Sequence, residues 1–122
     1  MIEASVDLGV LHDLLVERYW MSTAELSFDE ASKTFTMTVG DRERRWMRLV
    51  EIESGGFVER MRLTVLDVGN VDVRDDADIE VYDTKDVRQQ GDVLTFESNF
   101  PFEIELKLEP GARMRIESLP QS

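Results

Sequence analysis

Residues Phe102-Glu103-Ile104-Glu105-Leu106-Lys107-Leu108 alternate apolar and charged side chains with a period of two. Only an extended strand sends every second side chain to the same side, so this run demands one dry face and one wet face. The pattern recurs. Phe35, Met37 and Val39 stand between Thr34, Thr36 and Thr38, and Trp20, Ala24, Leu26 and Phe28 are interleaved by Met21, Thr23, Glu25 and Ser27. A chain built this way is expected to be mainly β and antiparallel, with one side of each strand in a core.

The turn residues set the expected connections. Asp29 to Ser32 join the strands around Leu26 and Phe35 into a hairpin over residues 20 to 39. Gly55-Gly56 suits a two-residue primed turn, which would place Trp46 across from Val65, Val50 across from Met61 and Glu51 across from Arg60. Asp67-Val68-Gly69-Asn70 is expected to end that strand. Val71 and Val73 start another, and Asp76, Asp78 and Glu80 form the wet face of a strand whose other face is Ala77, Ile79 and Val81. Residues 83 to 92 read as a polar loop, residues 93 to 97 as a short strand, and Asn99-Phe100-Pro101 as a break. Beyond residues 102 to 109, a three-residue loop of Pro110-Gly111-Ala112 would set Met114 against Leu108 and Ile116 against Leu106.

Val6, Leu8, Leu11, Leu14 and Leu15 have near-helical spacing, so residues 5 to 16 are expected to form a short helix with Ser5 as its N-cap, although Gly9 weakens it. About eight short strands over residues 19 to 118 predict an antiparallel β-sandwich or a partly closed barrel, since an open sheet with one apolar face must be covered. A length of 122 residues predicts a single globular domain over 1–122.

A formal net charge of −12 repels nucleic-acid phosphates and anionic lipid, which argues against both as partners. With no cysteine, neither a disulfide framework nor a thiolate metal site can form. Acids occupy the N-terminal positions where a secretory signal carries bases, and no apolar run approaches the roughly 18 residues that span a bilayer. The expected location is cytoplasmic.

Chemistry-bearing motifs are sparse, and no cofactor is indicated. His12, next to Asp13, is the only histidine, which excludes histidine pairs, and no Gly-x-Ser-x-Gly elbow accompanies it. Asp72, Asp75, Asp76, Asp78 and Glu80 could gather oxygen ligands for calcium, but the glycine of the EF-hand loop is missing, and a solvated strand face is the plainer reading. The segment departing most from the acidic background holds Arg42, Arg44, Arg45 and Arg48, with Arg60 and Arg62 on the strand expected to pair with it. Arginine beside exposed apolar side chains is a composition enriched at protein contacts, and guanidinium forks also suit carboxylates; against this stands a solvated face neutralised by Glu43, Glu51 and Glu59. The aromatic residues Trp20, Trp46, Phe28, Phe35, Phe96 and Phe102 read as core, whereas Phe100, in the break, reads as a surface anchor.

A short apolar segment ending in His12-Asp13, followed by hairpins, resembles small bacterial β-rich domains of which some are immunity proteins. The resemblance implies partner binding and carries no residue roles across. These observations lead to a non-catalytic acidic binding domain whose partner is a basic protein or a second copy of the chain in a homodimer. The alternative is a small-ligand-binding protein or enzyme with a pocket inside the sandwich or barrel.

Overall fold

Two long strands carry the architecture, and the reason is the alternation seen in the sequence. The computed structural model describes residues 2–41 and 60–119. Within them lie β1 (Ile2–Ser5), α1 (Leu8–Leu15), β2 (Tyr19–Asp29), β3 (Thr34–Asp41), β4 (Arg60–Asp75), β5 (Val81–Asp83), β6 (Asp86–Gln90), β7 (Val93–Glu97) and β8 (Phe102–Ser118). The eight strands form one antiparallel sheet in the order β5-β2-β3-β4-β8-β7-β6, curled into a half-barrel, while β1 lies beside β8. The expected partly closed barrel with one N-terminal helix is therefore the observed architecture.

β8 pairs with β4 along its length, from Met61 opposite Ser118 to Asp75 opposite Phe102. Midway the ladder slips: from Leu66 opposite Arg113 to Val68 opposite Leu108, β4 advances two positions and β8 five. The excess chain, Glu109 to Ala112, bulges outward, with Gly111 at φ +80° and Asp67 at φ +63°. A bulge bends and twists the strand that carries it, and here both long strands turn a corner together. The backbone groups near the slip find partners: the Val68 N–H donates to the Lys33 carbonyl at 2.9 Å and the Leu108 N–H to the Asp92 carbonyl at 2.7 Å.

Several expectations are corrected by this arrangement. Pro110-Gly111-Ala112 is a bulge, not a hairpin loop, because Met114 and Ile116 pair with Val65 and Leu63 of β4 instead of folding back on Leu108 and Leu106. Asp67-Val68-Gly69-Asn70 likewise bends β4 without ending it. The Gly55-Gly56 turn lies outside the described residues. The partners proposed for Met61 and Val65 across that turn are replaced, since Val39 and Phe35 of β3 take one edge and Ser118 and Met114 of β8 the other.

β2 and β3 form the expected hairpin, with Phe28 opposite Phe35. Between Met21 and Leu26, however, β2 advances five positions while β3 advances two, and an odd excess reverses which side chains face the core. Tyr19 and Met21 are therefore buried, and Trp20, expected in the core, is half-buried on the opposite face. Residues 83 to 92 hold β6 and a tight turn where a loop was expected; Gln90 pairs with Val93 around Gly91, which sits at φ +62°. On this edge strand Val87 is the one buried side chain, between half-buried Asp86 and exposed Arg88, so the sequence carries almost no apolar pattern there. The acidic segment 76 to 80 is a loop with Asp78 at φ +51° and Glu80 at φ +71°, not a strand.

The helix is shorter than its apolar spacing suggested. Ser5 belongs to β1, opposite Arg113, and the N-cap is Asp7, whose Oδ1 accepts from the Val10 N–H at 3.2 Å. Leu11 and Leu15 enter the core, and α1 lies against β2 and β6, near both ends of the strand order. There the chain crosses from edge strand β5 to edge strand β6 in two residues, Thr84-Lys85. The helix thus covers the seam at which the curled sheet fails to close.

The corner supplies a test by equilibrium urea unfolding. Gly111→Ala forces a Cβ into the left-handed region and is expected to cost about 1–2 kcal/mol. Gly69→Ala, whose Cβ would meet Glu109 Cγ at an ordinary 3.6 Å, is expected to change stability by no more than about 0.5 kcal/mol.

Candidate functional site

Tyr82 on β5 is fully buried, and its ring stacks on Phe102 with centroids 3.9 Å apart and an interplanar angle of 2°. Its hydroxyl donates to the Asp75 carboxylate and accepts from the Ile79 N–H at 3.0 Å, while Asp75 Oδ1 also accepts from the Asp78 N–H at 3.0 Å. Burial pushes the Tyr82 hydroxyl above its ordinary pKa, and the hydrogen bond to Asp75 adds to the rise, so it stays a neutral donor. The Asp76 and Ala77 N–H groups donate to the Pro101 carbonyl at 3.0 and 3.2 Å, tying the acidic loop to the β7–β8 turn. That turn carries Phe100, which meets Tyr82 edge-on at 6.4 Å. Phe100 and Ile79 consequently remain 47% and 49% exposed while anchored to a buried aromatic residue.

Beside them lies a recess of about 170 Å³, lined by Glu17, Tyr19, Trp20, Asp83, Asn99 and Phe100. Asp83 is its most constrained member. Its carboxylate accepts from the Ser98 hydroxyl, from the Asn99 side-chain amide, and from the Asn99 backbone N–H at 3.1 Å. Burial alone would raise its pKa, but these donors more than offset that and leave it below the ordinary aspartate value. Thr84 ties further lining residues together: its hydroxyl donates to the Tyr19 carbonyl at 2.9 Å and its carbonyl accepts from the Glu17 N–H at 2.8 Å. Arg18 lies over the Tyr19 ring, 5.3 Å from its centroid.

Pairing places Asp83, Trp20, Gly40 and Arg60 in one row across β5, β2, β3 and β4, and since Tyr82, Met21, Val39 and Met61 face the core, this row faces away from it. Of the arginines singled out in the sequence, Arg42, Arg44, Arg45 and Arg48 lie outside the described residues. Arg60 stands in that row, and Arg62 is exposed with its guanidinium 3.6 Å from Glu117. The structure thus brings Phe100 and Asp83 together, with Arg60 three strands from Asp83.

The acids elsewhere on the sheet are largely neutralised. Arg88 engages Glu97 at 2.7 Å and Glu103 at 3.4 Å, and Arg74 lies 3.6 to 3.7 Å from Asp72, Glu103 and Glu105. Asp75, Asp76, Asp78, Glu80 and Asp83 have no cationic partner among the described residues, so negative charge accumulates at the Tyr82 end. Among the described residues no group of three or more His, Asp or Glu side chains has a metal-holding arrangement. His12 Nε2 is 3.4 Å from Asp86 on β6 and its Nδ1 is 3.9 Å from Asp13, a tie between α1 and the sheet edge.

The expectation that Phe100 is exposed agrees with its 47% exposure, whereas Tyr82 and Asp83 are not singled out by the sequence and Trp20 is expected in the core. The signal for Asp83 was present as a carboxylate followed by Ser98-Asn99 in a turn, but their pairing needs the fold. No helix among the described residues is long and apolar enough to cross a membrane. No protein-family model, curated protein or solved structure matches this chain.

Asp83 links the site to pH. A carboxylate with a lowered folded-state pKa adds stability that is complete above its unfolded value, about 4, and is lost as pH falls through the folded value. Asp83→Asn should therefore lower stability at neutral pH, with the gap to the parent chain narrowing below about pH 4. Urea midpoints measured across that range would read it, and parallel curves would contradict the assignment.

Proposed function

We propose that this chain is a non-catalytic, cytoplasmic binding domain that recognises a basic segment of a partner protein through the Tyr82 end of the sheet. The observation that carries this reading is the pair Phe100 and Ile79, exposed yet fixed on buried Tyr82, among carboxylates with no cationic partner in the described residues. Anchored apolar side chains supply the kind of hot spot that dominates protein contacts, and their fixed positions reduce the entropy lost on binding. The surrounding acids steer a cationic partner and disfavour acidic competitors. A net charge of −12 acts in the same direction over longer range. The absence of a histidine pair or cysteine in the sequence, and the engagement of His12 with two carboxylates, support binding over acid–base or nucleophilic catalysis.

Affinity capture from the host lysate at low and physiological salt tests the proposal. A basic protein retained at low salt and released as ionic strength rises is expected, with Phe100→Ala weakening retention about fivefold or more. Recovery of the bait alone, or of further copies of it, would contradict recognition of a basic partner.

A further inference from the structure

Resting on that reading, we infer that the recess beside Asp83 receives the guanidinium head of a single arginine side chain presented by the basic partner. A space of about 170 Å³ suits one side-chain head and is too small for a helix or a nucleotide cofactor. Its walls include Trp20 and Phe100, and a planar, weakly hydrated guanidinium stacks on aromatic surfaces better than a compact ammonium does. Arg18, 5.3 Å from the centroid of the Tyr19 ring, shows that this chain already makes one such contact.

The second component is a fixed anion. Ser98 and Asn99 hold the Asp83 carboxylate with three donors, whereas two carboxylate oxygens offer about four acceptor positions. An acceptor position therefore remains for an incoming N–H, on a group kept ionised at neutral pH and oriented before the ligand arrives. Glu17, whose N–H donates to the Thr84 carbonyl at 2.8 Å, also lines the recess. Arg60, in the same row, is separated from Asp83 by Trp20 and Gly40.

The probe is N-acetyl-arginine methylamide, titrated into the full chain while tryptophan emission is followed, beside the corresponding lysine and citrulline amides. A saturable change with arginine is expected, weaker with lysine and absent with uncharged citrulline. The change should disappear in Trp20→Phe, and Phe100→Ala should weaken binding about two- to thirtyfold, the span of a cation–π contact. Equal responses to arginine and citrulline, a lysine response as strong as arginine's, or a signal surviving in Trp20→Phe would overturn the inference. No response to the arginine amide from a chain that still captures a basic protein in a salt-sensitive way would refute the recess alone. Failure of both would refute the binding-domain reading as well.

Discussion

The paired bend of β4 and β8 is the constraint on which the remaining structure depends. A flat sheet with one apolar face would leave that face wet; bending the two longest strands at Asp67 and at Pro110-Gly111 lets residues from both arms meet in one core. Ile104, Leu106, Met114 and Ile116 come from opposite sides of the bend and are all buried. Once the sheet curls, its ends approach closely enough for the chain to pass from β5 to β6 through two residues. The helix is then needed at the seam, and its short apolar face of Leu11 and Leu15 is sufficient to cover it.

The same closure creates the surface chemistry. Placing β5 at one edge buries Tyr82 against Phe102, which leaves a hydroxyl inside that must find a partner. Asp75 and the Ile79 N–H provide it, and in doing so they fix the acidic loop and expose Ile79. Phe100, on the turn tied to that loop through Pro101, meets the Tyr82 ring edge-on. Two exposed apolar side chains in an acidic surround thus follow from satisfying one buried phenol. Where the sheet has no such demand, arginines neutralise the acids, as Arg74 and Arg88 do on β4 and β6.

The legible part of the sequence was the part governed by strict alternation. Phe102 to Leu108, Thr34 to Val39 and the β2–β3 turn all appear where their periodicity puts them. The illegible part was governed by odd insertions and by long-range partner choice. A bulge changes phase without changing composition, which is why Trp20 was assigned to the wrong face. Pro110-Gly111 is the same dipeptide in a hairpin and in a bulge, and what separates the two is whether Met114 prefers Val65 or Leu108, a contact between residues far apart in the chain. β6 was hidden because an edge strand with one buried side chain has almost no apolar pattern to read. At the site, Phe100 was visible through its turn chemistry, whereas Tyr82 and Asp83 acquire their roles only when β5 is brought beside β2 and the 98–101 turn.

Under the proposed function, the Tyr82 end of the sheet is the surface that meets a cationic protein. The most direct measurement follows the amide resonances of the isotope-labelled chain while a short arginine-rich peptide is added at low salt. Shifts concentrated at Glu17, Trp20, Ile79, Asp83 and Phe100 are the predicted result. Shifts spread over the acids in general, or centred on Glu97, Glu103 and Glu105, would contradict the claim and reduce the acidity to a property of the whole surface.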